Sequence, residues 1–535
     1  MATTSVPRDP PTEARTLRRF LLKKLISFPA LLAALLVVAL YVPFRDFKVD
    51  PDFWWHLKVG QSILATHHWP SSDTYSFTAS GTPWIAYEWA GETLLAAVQR
   101  VWGFQGLVGL DLALAAAVLL SLYALAALRS RNSKAAFVSC ALLLPLMVVS
   151  FSLRPQMLGY LFLILALIIL ERFRQGRSGT LWLLPLLFLV WVNTHGSFVI
   201  GIFAFGVYAL SGLVKLRWGG LEAKGWTTTQ RLQLGLVFLA SLIALCATPY
   251  GVRLAAYPLD MAVSQPVNVA SVQEWQPIPL NTSTGQLFLA LVVGFLLAQV
   301  ILRPTWQLAE LTLFFAGVVA AFLHFRFVML FVPFSAPLLG VIVSNWIPPY
   351  DPGKDKYLLN ALLMAAAIAG VVRFFPSRAR LEDQIVQRWP VKAVQYLRQH
   401  PIPRPMFNSY GYGGYLIYSL DDQDKVFIDG RGDIYERSGV FADYMSISRI
   451  ERSALLLLRA YHVRSCFLER NEPLATLLAA SADWQKVYAD DLSVLFVRIS
   501  GSDSESKAGD RGHYHEGSES AYIEGWGQSA GGPCS

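Results

Sequence analysis

The chain is short of charge. Only 15% of its 535 residues are Asp, Glu, Lys or Arg, where a soluble protein carries about a quarter. Hydrophobic residues make up 54%, and the mean hydropathy is +0.42. This excludes an ordinary soluble enzyme and points to a chain with lipid as part of its solvent. Cysteine is also scarce: the four residues, at 140, 246, 466 and 534, show no metal or redox spacing. Cys140 and Cys246 fall inside apolar runs and read as small core residues, so no disulfide framework is expected. No internal repeat with matching halves is present, which is what a carrier built on inverted repeats would show. The first apolar run is followed by Arg45 and not by a small-residue cleavage site. With Arg15, Arg18, Arg19, Lys23 and Lys24 before it, the run reads as an uncleaved first span with a cytoplasmic N-terminus.

What is abundant is apolar runs of spanning length, which takes roughly 20 residues. Candidate spans are 26–44, 105–128, 135–151, 157–172, 180–194, 197–215, 233–248, 285–302, 309–323, 327–346 and 357–374. These eleven spans, starting inside, put the C-terminus outside. The net charge of +8 is spread over the short connecting loops. Loops on the expected cytoplasmic side carry Arg129, Arg131 and Lys134; Arg172, Arg174 and Arg177; Lys215 to Arg231; Arg303; and Lys354 and Lys356. The opposite loops carry few basic residues, which is the positive-inside pattern and not that of a nucleic-acid partner. The expected place is a membrane, crossed many times, with the N-terminus inside.

Two outer segments are too long to be turns. Residues 45–104 contain polar turn material at Pro70-Ser71-Ser72-Asp73 and an amphipathic stretch from Tyr87 to Trp102. Leu94, Leu95, Val98 and Val101 recur there at helical spacing, so that stretch is expected to lie along the interface. Residues 249–284 form a second outer loop with Glu274-Trp275. After residue 375 the composition changes to an amphipathic helix at 381–399, then strand-like runs at 425–429, 463–468 and 492–498 with helical stretches at 434–461 and 473–482. The fold class read from this is an α-helical polytopic membrane protein of about 11 spans with a C-terminal extracytoplasmic α/β domain. The divisions are a transmembrane part (1–374), the α/β domain (375–500) and a tail (501–535) rich in Ser, Gly and charge that is expected to be disordered.

The chemistry concentrates where the first span ends. Asp50-Pro51-Asp52-Phe53-Trp54-Trp55-His56 places two carboxylates, two tryptophans and a histidine at the membrane exit. Trp suits an interface, but acids against a membrane face are costly unless solvated or used. A positioned carboxylate is what a general base requires; the competing reading is ordinary loop polarity with Pro51 setting a turn. Asp73 and Glu88 are further acids of this loop, each expected on a solvated turn or helix face. At the outer ends of other spans stand Arg154, His195, Arg253, His324 and Arg326. Each alone suits snorkelling to headgroups. Several together, on the side that bears the acids, favour an anion path, with a lipid phosphate as the ligand. Gly411-Tyr412-Gly413-Gly414-Tyr415 and Asp429-Gly430-Arg431 read as turns, since no nucleotide-binding spacing follows them.

Asp50 to Gly60, then Pro70 with Asp73 to Phe77, then Trp84 and Glu88-Trp89 resemble bacterial members of the GT-C glycosyltransferase superfamily. Phe407-Asn408 with Gly413 to Tyr415, and Phe427 to Arg431, resemble the tail domain of the same group. The resemblance covers most of residues 20–500 and is distant for protein mannosyltransferases and lipid A aminoarabinose transferases. It implies a sugar donor on a polyprenyl phosphate, an extracytoplasmic site and a catalytic Asp in the first outer loop, matched here by Asp52 and Asp50. With such a donor the acceptor is a glycan, lipid or protein, attack opposite the leaving phosphate inverts the anomeric carbon, and the outer-end groups Arg154, His195, Arg326 and Arg253 are the expected phosphate-binding groups. His56, Glu88, Trp54 and Trp55 are the expected acceptor or supporting residues. A divalent metal is possible in this superfamily, and the sequence alone displays no convincing ligand set for one.

The rival reading is a transporter, or a polysaccharide-assembly or scaffold protein without transferase chemistry; the large first loop is unusual for a carrier. The charge alternation makes a direct statement about sidedness. Reporter fusions after residue 130 and after residue 400 should report opposite sides of the membrane, and two cytoplasmic reports would overturn the eleven-span topology.

Overall fold

The computed structural model describes residues 22–47 and 49–499. Arg15, Arg18, Arg19 and the 501–535 tail lie outside the described residues. All eleven apolar runs are helical. By length and composition six helices can each cross a membrane: Leu22–Phe44, Trp89–Ser130, Ser133–Ser150, Gln156–Arg174, Ser283–Leu302 and Phe325–Val343. Tyr357–Arg373 with Arg378–Arg388, bent by 60°, makes a seventh. Ser178–Val192, Phe198–Ser211 and Leu308–Leu323 are apolar but shorter. The structure therefore supports six or seven full-length spans among the described residues, fewer than the eleven expected. On Thr228–Ala244 the exposed apolar side chains Leu232, Leu236, Leu239 and Ile243 recur at helical spacing. They form an outward stripe suited to lipid and not to water.

The stretch from Tyr87 to Trp102 does not end before the second span. Trp89–Ser130 is one helix of 42 residues, broken at Gly103, whose φ of 62° only a glycine adopts without cost. Leu95 and Val98 are buried in protein, while Leu94 and Val101 are exposed. At the other end of the bundle, some of the basic loop residues are not free surface charges. Arg129 pairs with Glu310 at 2.5 Å, and Arg174 with Glu171 at 2.8 Å and Glu310 at 3.0 Å. Three helix ends are thereby clasped by charges that the sequence shows only as a topology signal.

The C-terminal region carries a four-stranded sheet in the order Met406–Asn408, Ser465–Glu469, Ser493–Arg498, Trp484–Ala489. The first pair is parallel and the others are antiparallel. The strands expected at 463–468 and 492–498 are present, and the helix expected at 381–399 is split at Pro390 into Arg378–Arg388 and Val391–Gln399. The run at 425–429 is not a strand of this sheet. Val426 instead bonds to the first loop, accepting from Phe77 N–H and donating to Tyr75 C=O. Gly411 to Tyr415 is not a turn either, but lies in the helix Tyr410–Ser419. Its glycines serve packing: a Cβ at Gly414 would come within 2.4 Å of Pro51 C=O, so the glycine lets this helix press directly on the Asp-Pro-Asp segment.

Trp54 is not an interface anchor. It is fully buried in protein, with Phe47, Phe53, Phe104, Trp389 and Tyr415 edge-on around it. This aromatic core joins the first loop to the C-terminal region. Beside it, Arg431 pairs with Asp73 at 2.7 Å and Asp429 at 2.6 Å, and its guanidinium lies over the rings of Tyr75 and Trp84. Asp73, expected in a solvated turn, is only 1% exposed; it also accepts from the backbone N–H of Tyr75 and Ser76. Breaking a buried ion pair from one side leaves charge uncompensated, at about 3–5 kcal/mol. Arg431→Met should therefore lower the stability of the purified protein by that order in chemical denaturation. Unchanged stability would show that this clasp does not hold the two regions together.

Candidate active site

The Asp50-Pro51-Asp52 segment opens a helix, Asp52–Thr66, inside what the sequence suggests is a loop. Pro51 precedes the first turn, and Asp52 puts its negative charge at the helix N-terminus, where the exposed N–H groups favour it. Asp50 Oδ1 accepts the Asp52 N–H at 2.9 Å, and its Oδ2 accepts from Ser152 Oγ. Arg154 reaches both acids, with Nε 2.5 Å from Asp50 Oδ2 and Nη1 3.0 Å from Asp52 Oδ2. The other Asp52 oxygen accepts the Trp55 indole N–H at 3.2 Å. Ser152 and Arg154 come from the bend between two helices, Ser133–Ser150 and Gln156–Arg174. The acid pair is thus held across the first loop and the third and fourth apolar segments by contacts that no sequence spacing displays.

Burial raises the Asp52 pKa to about 6; Arg154 opposes this, and Asp50 adds to it. The carboxylate keeps about a fifth of its side-chain surface exposed, enough for an incoming group to reach it. Gly430 closes one side. A Cβ there would stand 1.6 Å from Asp52 Oδ1, so the Asp429-Gly430-Arg431 turn forms a wall of the site and only a glycine fits.

A second polar group lies behind the acid pair. His56, whose ring lies against Trp55 at a tilt of 31° with centroids 3.6 Å apart, sits between two carboxylates. Its Nδ1 is 2.9 Å from Glu92 Oε1 and its Nε2 is 3.3 Å from Glu88 Oε2. His195 Nε2 is 3.2 Å from Glu88 Oε1. His195 Nδ1 accepts the Ser197 N–H, so the proton is on Nε2 and points at Glu88. Burial, then Arg326 and Arg154, pull the His195 pKa down to about 3. His195 is therefore a neutral hydrogen-bond donor here and not the cation the sequence suggested. Glu88, expected on a solvated face, is buried, and burial lifts its pKa to about 8 against the pull of Arg326 and Arg154. At neutral pH it holds a proton and is a poor base. Sequence reasoning passed over Glu92 and Ser152; the spacing of Glu88 and Glu92, one helical turn apart, was the available signal for the first.

The remaining expected residues separate. Arg326 and His195 line one small cavity of about 50 Å³ with Gln156 and Tyr160. Arg326 lies over the Trp275 ring and is 3.4 Å from Glu274. Arg253 is not with them: it lines a cavity of about 630 Å³ with Trp84, Tyr250, Tyr257 and Arg437. The four groups grouped by sequence as phosphate ligands therefore occupy three places. One residue of the wall is directly testable. Gly430→Ala should push the Asp52 carboxylate off Trp55 and Arg154, at the cost of overpacking, about 1–3 kcal/mol. A structure of the variant with Asp52 unmoved would show that the turn yields instead.

Fold and site together define a helical membrane protein whose polar centre is enclosed by its first loop and C-terminal region. No family model and no curated protein matches the chain. Among solved structures it is similar to the Archaeoglobus fulgidus oligosaccharyltransferase AglB in complex with an inhibitory peptide and a dolichol-phosphate. There the identity is 13%, the coverage is 82% of this chain and 69% of that one, and the TM-score is 0.49. It is also similar to ArnT from Cupriavidus metallidurans in the apo state (15% identity, 91% and 98% covered, TM-score 0.48) and bound to undecaprenyl phosphate (16%, 88% and 97%, 0.45). Both solved proteins are GT-C superfamily glycosyltransferases. At TM-scores below 0.5 the likeness says nothing of what this chain acts on.

Proposed function

We infer that this chain is an integral membrane glycosyltransferase of GT-C type, moving a sugar from a polyprenyl-phosphate-linked donor to an extracytoplasmic acceptor. The observation that carries this reading is the Asp50–Arg154–Asp52 cluster at the end of the first apolar helix, walled by Gly430. An acid there with a pKa of about 6 is ionised near neutral pH and still basic enough to accept a proton, which is what a general base needs.

In this mechanism Asp52 accepts the proton of the acceptor hydroxyl as its oxygen bonds to the anomeric carbon. The bond from that carbon to the phosphate oxygen breaks, and attack from the opposite face inverts the centre. Asp50 and Arg154 orient Asp52 and do not act as the base. Charge grows on the departing phosphate, and a fixed guanidinium near it is the kind of stabilisation that counts most in such steps. Arg326, beside a cavity and only loosely paired with Glu274, suits that role better than His195, both of whose nitrogens are engaged. Arg253 lines the larger aromatic-walled cavity, which supports a role for it with the acceptor and not with the same phosphate.

Asp52→Asn removes the base but leaves Arg154 paired with Asp50, so the fold should survive. Transfer from a polyprenyl-phosphate sugar by the purified variant should drop on the order of 10²–10⁴-fold. The wild-type rate should fall as pH drops through about 6, because the ionised form is the active one and protonation removes it. Full transfer by both Asp52→Asn and Asp50→Asn would exclude this base. A wild type that never uses such a donor would bring down the transferase reading and raise that of transport or scaffolding.

A further inference from the structure

The helix Gln156–Arg174 starts beside the acid pair, and its far end borders a cavity of about 200 Å³. Arg174, Tyr208, Lys224, Trp226, Gln230 and Leu308 line it. Four helix ends and a small sheet meet there. Arg174 and Tyr208 close Gln156–Arg174 and Phe198–Ser211, Gln230 lies in the first turn of Thr228–Ala244, and Leu308 opens Leu308–Leu323. The sheet holds Leu216–Trp218, Leu221–Ala223 and Trp306–Gln307 in that order and lines the cavity through Ala223 and Gln307. One wall is fixed by close packing. A Cβ at Gly212 would stand 1.9 Å from Trp226 Nε1, so the indole lies directly on that backbone, and it donates to Tyr208 C=O at 3.3 Å.

The charge around this cavity is unbalanced. Arg174 is matched by Glu171 and Glu310. Lys224 is not, and neither are Lys215 and Arg231; among the described residues none of the three has a carboxylate partner. Both neighbours belong to the cavity's rim. A Cβ at Gly225, a lining residue, would stand 3.7 Å from Lys215, and Arg231 donates to Trp226 C=O at 3.1 Å. The hairpin's own acid, Glu222, faces Arg217 at 3.8 Å. The first turn of Thr228–Ala244 adds the positive end of its dipole. Unpaired cations around a polar recess favour an anion.

The surface beside the cavity tells which anion. Thr312, Phe315 and Val319 follow Leu308 on one helix face, and all three are exposed. Phe203 and Leu210 are exposed on one face of Phe198–Ser211. A free phosphate gains nothing from such apolar stripes, whereas acyl chains do. These two helices have 14 and 16 residues, short of the roughly 20 that a span takes. We propose that the cavity binds the headgroup phosphate of one anionic phospholipid. Lys224, Lys215 and Arg231 supply the cations, and the acyl chains lie along Leu308–Leu323. Basic recesses between membrane helices hold such headgroups. The cavity is remote from Asp52, so the proposal does not rest on which reaction the acids perform.

The test uses the full chain, purified in detergent, freed of bound lipid and then given phosphatidylglycerol, phosphatidylcholine or inorganic phosphate alone. Native mass spectrometry should find one phosphatidylglycerol held per chain at concentrations where phosphatidylcholine is lost. Tm should rise with phosphatidylglycerol, because the lipid binds the folded state. Lys224→Gln and Lys215→Gln should each weaken retention about fivefold, the worth of one cation near a lipid headgroup. Both side chains are exposed, so the fold should survive. Lys354→Gln, an exposed charge outside the cavity, should leave retention unchanged. Phosphatidylcholine held as tightly as phosphatidylglycerol would overturn the proposal, and so would undiminished retention in the Lys224→Gln, Lys215→Gln double variant. An equal rise in Tm with inorganic phosphate would overturn the assignment to a lipid.

Discussion

A guanidinium almost sealed from solvent joins the two halves of this molecule. Arg431 comes from the C-terminal region, Asp73 from the first loop, and their ion pair is flanked by Asp429 and by the rings of Tyr75 and Trp84. Charges this deep are tolerated only with good geometry and satisfied neighbours. Here Tyr435 donates to Asp429, and backbone and side-chain donors of Tyr75 and Ser76 meet Asp73. Because Arg431 cannot move without exposing this arrangement, the preceding Gly430 is held against Asp52. The position of the acid pair is therefore set from the far end of the chain.

That dependence explains how a surface loop acquires a site with an unusual acid. An aspartate at a membrane exit in open water would titrate in the ordinary carboxylate range. Covered by the C-terminal region and supported by Trp55, Asp52 instead sits near 6, with Arg154 keeping it from going higher. The same enclosure makes His195 neutral and Glu88 protonated at neutral pH. Environment, not residue type, separates Asp52 from the neighbouring acids. Two buried clusters stand side by side: one built from Asp50, Asp52 and Arg154, open to an incoming group, and one built from His56, Glu88 and Glu92, closed and of metal-ligand composition.

The amino-acid sequence on its own determined where the apolar helices run, since continuous apolar stretches need no tertiary information. It also marked Asp50 and Asp52, because acids at a membrane exit are out of place. It located most of the helices and two of the four sheet strands of the C-terminal region, through local periodicity. Tertiary structure alone decided the rest. The strand-like run at 425–429 was drawn away to pair with the first loop, and the glycine-rich segment at 411–415 lies in a helix whose Gly414 lets Pro51 approach. The partners of each charge were equally invisible: Arg154 to the acids, Arg431 to Asp73, His56 to Glu92, and Arg253 alone on another cavity. The physical reason is range. Helix formation and span length are read from neighbours along the chain, whereas ion pairs, dry pockets and shifted acids depend on which distant segments exclude water around them.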